Sequence, residues 1–87
     1  MKFETTYEDF KIVFDRCNEK YIIYDKDGNV IKESKVGAEI LKYLKETIYK
    51  IYPHTTENVE KLSRTIKIIK MFKILHINLE IKADEEA

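Results

Sequence analysis

Residues 5–20 read TTYEDFKIVFDRCNEK, and two different periods can be drawn through them. Tyr7, Phe10, Phe14 and Cys17 recur at spacings of three, four and three, which puts them on one face of a helix. Thr6 followed by Asp9 adds an approximate capping box, because a threonine hydroxyl can accept from a first-turn N–H. The competing reading is a strand, since Phe10, Ile12 and Phe14 also alternate. The cap and the longer match favour a helix over residues 7–17, and the chain must then build its sheet further on.

The next stretch, KYIIYDKDGNVIKES at residues 20–34, supplies two β-rich runs around Asp-Lys-Asp-Gly-Asn. Aspartate tolerates tight turns and Gly28 can take the positive φ that closes them, so the pattern reads as a hairpin. The same residues invite comparison with a calcium loop. With Gly28 in the sixth position, Asp25 falls third and Asp27 fifth, but the first ligand would be Ile23 and the bidentate twelfth would be Ser34. Neither supplies a carboxylate, and the turn is the better reading.

From Val36 the period becomes helical. Val36, Ile40, Leu44, Thr47/Ile48 and Ile51 form a stripe that Leu41, Tyr43 and Tyr52 widen, and Pro53 ends the helix because the residue before a proline avoids αR. Thr55 or Thr56, followed by acidic residues, caps a further helix with Val59, Leu62, Ile66 and Ile69 on its buried side. Lys73 would fall on that apolar side if the helix continued. Leu75, Ile77, Leu79 and Ile81 alternate with polar residues, which reads as a half-buried final strand, although no Gly or Pro marks the change near residues 70–74.

The expected fold is therefore a single α+β domain over residues 1–82 in the order α-β-β-α-α-β, followed by a short acidic tail at 83–87. Its three-stranded sheet combines the hairpin with the C-terminal strand under a cover of helices.

Eighty-seven residues, 44% hydrophobic with two Gly and one Pro, suit one packed core. Sixteen basic and sixteen acidic residues cancel, so any electrostatic partner is attracted by local charge. A lone cysteine, Cys17, fits a reducing compartment, and no apolar run approaches the roughly 20 residues of a membrane span. These features predict a cytoplasmic protein without membrane contact.

No catalytic constellation stands out. Cys17 reads as a small core residue, His54 lies in a loop, and His76 falls on the polar side of the expected final strand. One cysteine and two scattered histidines fall short of a zinc set, and neither glycine opens a phosphate loop. The expectation is a non-enzymatic protein-binding or regulatory protein with no cofactor.

Two surfaces are candidates for contact. Tyr49, on the polar side of the helix after the hairpin, combines with Tyr43 and Tyr52 at the stripe's edges to suggest a protein interface, with a homodimer as one form of it. Lys61, Arg64, Lys67, Lys70 and Lys73 form a basic run without an acidic residue between 61 and 76. The alternative function is nucleic-acid association through phosphate contacts there, or contact with another acidic partner. A plain solvated helix face is the competing explanation.

Overall fold

The computed structural model describes residues 2–86. Four strands run in sequence order as an antiparallel meander: β1 (Lys2–Tyr7), β2 (Phe10–Asp15), β3 (Lys20–Tyr24) and β4 (Val30–Ser34). Two helices follow, α1 (Gly37–Ile51) and α2 (Thr56–Glu86). The order is β-β-β-β-α-α, which corrects the expected α-β-β-α-α-β. The sheet has four strands rather than three, and all of them precede the helices.

The first correction concerns residues 7–17, which form no helix. Tyr7 pairs with Phe10 across a two-residue turn, and β1 and β2 continue antiparallel to Lys2 opposite Asp15. Glu8 sits at φ 50° and Glu19, in the next turn, also at φ 50°. Left-handed positions usually fall to Gly or Asn, so two glutamates there gave no turn signal. Alternation of Phe10, Ile12 and Phe14 describes β2, whereas Cys17, matched to the same face on the helical period, lies exposed in the β2–β3 turn. Asp15 shapes that turn by accepting from the Cys17 and Asn18 N–H groups at 3.0 and 3.3 Å.

The second correction concerns the C-terminus. Leu75, Ile77, Leu79 and Ile81 belong to α2, and of the stretch 83–87 read as a tail, residues 83–86 are its last turn, while residue 87 lies outside the described residues. Thirty-one residues at about 1.5 Å each span about 46 Å, close to the 49 Å longest dimension of the molecule. Its radius of gyration, 14.0 Å, exceeds the roughly 12 Å typical of this chain length. The length of α2 accounts for the difference.

Strand register sorts the side chains. Phe3, Phe14 and Tyr21 lie in one cross-strand row and Thr5, Ile12 and Ile23 in the next, all toward the helices. Ile40, Leu44 and Ile48 of α1 close over this face together with Leu62, Ile66, Ile69 and Phe72 of α2. Contacts place α1 on β3 and β4 and α2 on β1. On the opposite face Glu4, Val13, Ile22 and Glu33 form a row in which Val13 is only 2 % exposed. Ion pairs Lys11–Glu4 (3.4 Å) and Lys20–Glu33 (3.6 Å) flank it. Lysine stems shield apolar surface this way while their ammonium groups remain in water.

The expected hairpin at β3–β4 is present, with a register shift at Ile23/Tyr24. Asp25 Oδ1 accepts from the Asp27 and Asn29 N–H groups, both at 2.9 Å, and Gly28 takes φ 83°. The carboxylate thus organises the turn's own backbone. The Asn29 N–H, foremost among its donors, holds the Asp25 carboxyl below its ordinary value of 3.8. Two further sequence expectations are met: the Thr55 hydroxyl caps α2 by accepting from the Asn58 N–H at 3.1 Å, and α1 stops just before Pro53.

A Cβ at Gly28 would meet nothing within 4 Å, so Gly28→Ala tests the backbone alone and is expected to cost about 1 kcal/mol in denaturant unfolding. A depressed Asp25 pKa means its stabilising contribution is complete above the unfolded value of 3.8 and fades as pH falls through the lower folded value. Asp25→Asn should therefore be less stable than wild type at neutral pH, with the gap narrowing in thermal melts taken from about pH 4 down to 2.

Candidate interaction surface

Helix α2 is built differently along its length. Leu62, Thr65, Ile66, Ile69, Phe72 and His76 are its buried side chains, at spacings that keep them on one face. Phe72 stacks on Phe3 with ring centroids 5.8 Å apart, and His76 meets Phe14 edge-on at 5.3 Å. The helix is thus held against the sheet as far as residue 76.

Charged groups on this inner side are matched by residues from the strand turns. Near the start of α2, the Lys61 ammonium donates to the Glu8 carboxylate and lies over the Tyr7 ring at 5.5 Å. Glu8 raises the Lys61 pKa, while burial raises that of Tyr7. A little over three turns further along, Lys73 stands 3.8 Å from Glu19 and 6.0 Å from the Phe14 ring centroid. A lysine on the apolar side therefore does not end the helix, because its stem packs and its charge reaches a counterion.

His76, 5 % exposed, completes the cluster. Arg16 Nε–H donates to His76 Nδ1 at 3.2 Å, so the ring proton belongs on Nε2, which faces Glu19 Oε1 at 3.2 Å. Arg16 also reaches Glu80 at 3.4 Å and covers the Phe3 ring at 5.3 Å. Sequence placed His76 on the polar side of a strand; the structure makes it an anchor of a helix. Beyond Glu80, no side chain of α2 through Glu85 is buried or tied to the sheet.

Much of what remains outside between residues 68 and 81 is apolar. Ile68, Met71, Ile74, Leu75, Ile77, Leu79 and Ile81 are between 40 and 58 % exposed. They flank the buried row on both sides, so the second half of α2 is apolar around most of its circumference. Helices of that character are normally covered. This surface was hidden in the sequence by the alternation of Leu75 to Ile81, which read as a strand. The available signal was the lack of any Gly or Pro between 70 and 75.

The residues singled out from sequence fall as follows. Tyr43, Tyr49 and Tyr52 are all half-buried against the core. Lys32 covers the Tyr43 ring at 5.7 Å, Tyr49 meets His54 at 4.1 Å, and Tyr52 meets Tyr7 edge-on at 6.0 Å. Among the basic five, Lys61 and Lys73 have the carboxylate partners described, whereas Arg64, Lys67 and Lys70 are exposed and form no ion pair among the described residues. Lys67 and Lys70 do converge with Tyr49 and Lys45. Together with Val59, Leu62, Ser63 and Ile66 they line a groove of about 310 Å³ between α1 and α2.

No group of three or more His, Cys, Asp or Glu able to hold a metal occurs among the described residues, and no helix among them is long and apolar enough to cross a membrane. Comparison of the chain with protein-family models, curated proteins and solved structures finds no match.

Removing the Arg16 guanidinium should loosen the end of α2 selectively. In hydrogen–deuterium exchange, Arg16→Ala is expected to lower the protection of residues 77–85 by about tenfold, the loss of one or two charge-assisted hydrogen bonds, while residues 57–70 keep theirs.

Proposed function

We propose that this chain is a small non-catalytic protein-binding module and that the outward side of α2 is its binding surface. The observation that carries the reading is the set of seven exposed apolar side chains from Ile68 to Ile81 on one helix. Water contact at so many aliphatic groups is unfavourable by roughly 25 cal/mol for each Å² left uncovered, and a bound protein removes that cost. The Arg16–His76–Glu19 cluster supports the reading further, because it holds the helix rigidly and so reduces the entropy lost on binding.

Nucleic-acid association has less behind it. Two of the five cations already have carboxylate partners, and Tyr49, the ring beside Lys67 and Lys70, is half-buried against the core and meets His54, which leaves no fully exposed stacking platform there among the described residues. Binding through three phosphate contacts would appear as a slope of about −2.7 in log affinity against log salt.

Carbene footprinting in cell lysate tests the protein-binding reading without assuming the occupant. Labelling at Met71, Ile74, Leu75 and Ile77 is expected to fall well below that at Val30, Val36 and Ile51, which are similarly exposed on the free chain. Equal labelling of the two groups would refute a protein-covered α2.

A further inference from the structure

The outward side of α2 carries a second pattern. Lys67, Met71, Ile74, Asn78, Ile81 and Glu85 are spaced four, three, four, three and four, the repeat of a helix that packs along another helix. At 100° per residue this row lies opposite Leu62, Ile69 and His76, which face the sheet, so it lies on the side of α2 away from the sheet. Ile68, Leu75 and Ile77 border it. A cation stands at one end of the row and an anion at the other, with apolar residues and one asparagine between.

That arrangement is self-complementary only in one direction. Two copies laid antiparallel bring Lys67 opposite the partner's Glu85, Met71 opposite the partner's Ile81 and Ile74 opposite the partner's Asn78, and the two-fold axis repeats each pairing. On one flank Lys70 meets the partner's Asp84; on the other Leu75 meets its own symmetry mate. A parallel pair would instead place Lys67 on the partner's Lys67 and Glu85 on the partner's Glu85, which is repulsive.

The end of the helix gives an independent reason. Asp84 and Glu85 close α2, and its last turn holds no basic residue. Acids are unfavourable there, where the helix dipole is negative and cations are preferred. In the antiparallel arrangement the missing cations come from the other copy, since the closing turn of each helix lies beside Lys67 and Lys70. Those lysines form the rim of the groove shared with Lys45 and Tyr49, so the acidic turn arrives at a basic, partly apolar recess.

We propose that the protein forms a two-fold homodimer in which the α2 helices pack antiparallel through Met71, Ile74, Asn78 and Ile81, closed at both ends by Lys67 and the partner's Glu85. This rests on α2 being a protein-binding surface and names its occupant as a second copy of the chain. Asn78 adds specificity, as a single polar residue within an apolar helix seam fixes register.

Sedimentation velocity on the full chain over a range of concentrations is the test. Wild type is expected to sediment as a dimer, and Ile74→Lys, at a side chain exposed in the single chain, to weaken association at least a hundredfold with an unchanged fold by circular dichroism. Lys67→Glu and Glu85→Lys should each weaken it by about tenfold, because two pairs per dimer become repulsive. The Lys67→Glu/Glu85→Lys double variant should recover the affinity; a parallel pair, with like charges opposed in every variant, would show neither the loss nor the recovery. Dimers indifferent to both single charge changes, or lacking recovery in the double variant, would overturn the antiparallel register. A wild-type chain that stays monomeric while its α2 is protected in lysate would overturn self-association and leave the binding reading intact; no protection in either setting would remove both.

Discussion

Tyr7, Phe10, Ile12, Phe14, Tyr21 and Ile23 project from one side of a sheet that has nothing else to bury them against, and the rest of the molecule answers to that requirement. A four-stranded meander made by the first 34 residues leaves its cover to whatever follows. Two helices supply it, α1 over β3 and β4 and α2 over β1. The opposite side manages with Val13 and Ile22 beneath lysine stems, so only one face needs a second layer. Once the sheet is covered, α2 has length to spare, and the apolar residues on that surplus length distinguish this chain from a simple two-layer domain.

Local chemistry in the sequence revealed the elements whose signals are short in range. The Asp25–Gly28 turn, the Thr55 cap and the stop before Pro53 each depend on residues within a few positions of one another. The β1–β2 and β2–β3 turns were obscured because Glu8 and Glu19 occupy left-handed positions at which glycine would have announced a turn. With no such marker, Tyr7, Phe10, Phe14 and Cys17 could be joined by a helical period across what are really two strands and a loop. Helix propensity and strand alternation were both satisfied there, and only the pairing with β3 decides between them.

The candidate surface was legible to a smaller degree. Leu62, Ile66 and Ile69 showed the start of α2 correctly, but Val59 and the residues after Lys70 follow a different logic. Lys73 looked like the end of an apolar face because its counterion, Glu19, lies more than fifty residues away in sequence. His76 looked polar for the same reason. Long-range partners of this kind leave no periodic trace. An apolar helix exposed on several sides also imitates a strand, since alternate positions are then apolar by default. The tyrosines drew attention through their chemistry, yet each has found neighbours in the core or at its edge.

Glu8 and Glu19 have a joint significance beyond their backbone conformation. They stand in the turns at opposite ends of β2, and their carboxylates engage Lys61 and Lys73 of α2. Twelve residues of helix separate those lysines, about 18 Å, while the six residues of β2 rise about 20 Å. Strand and helix are thereby gauged against each other, like two rails bolted at both ends. Lengthening either between its fastenings by one residue would misalign at least one pair, so the spacing from 8 to 19 and that from 61 to 73 can change only together. The cost of placing glutamate at a left-handed position secures a fixed length relation between the sheet and the helix that extends past it.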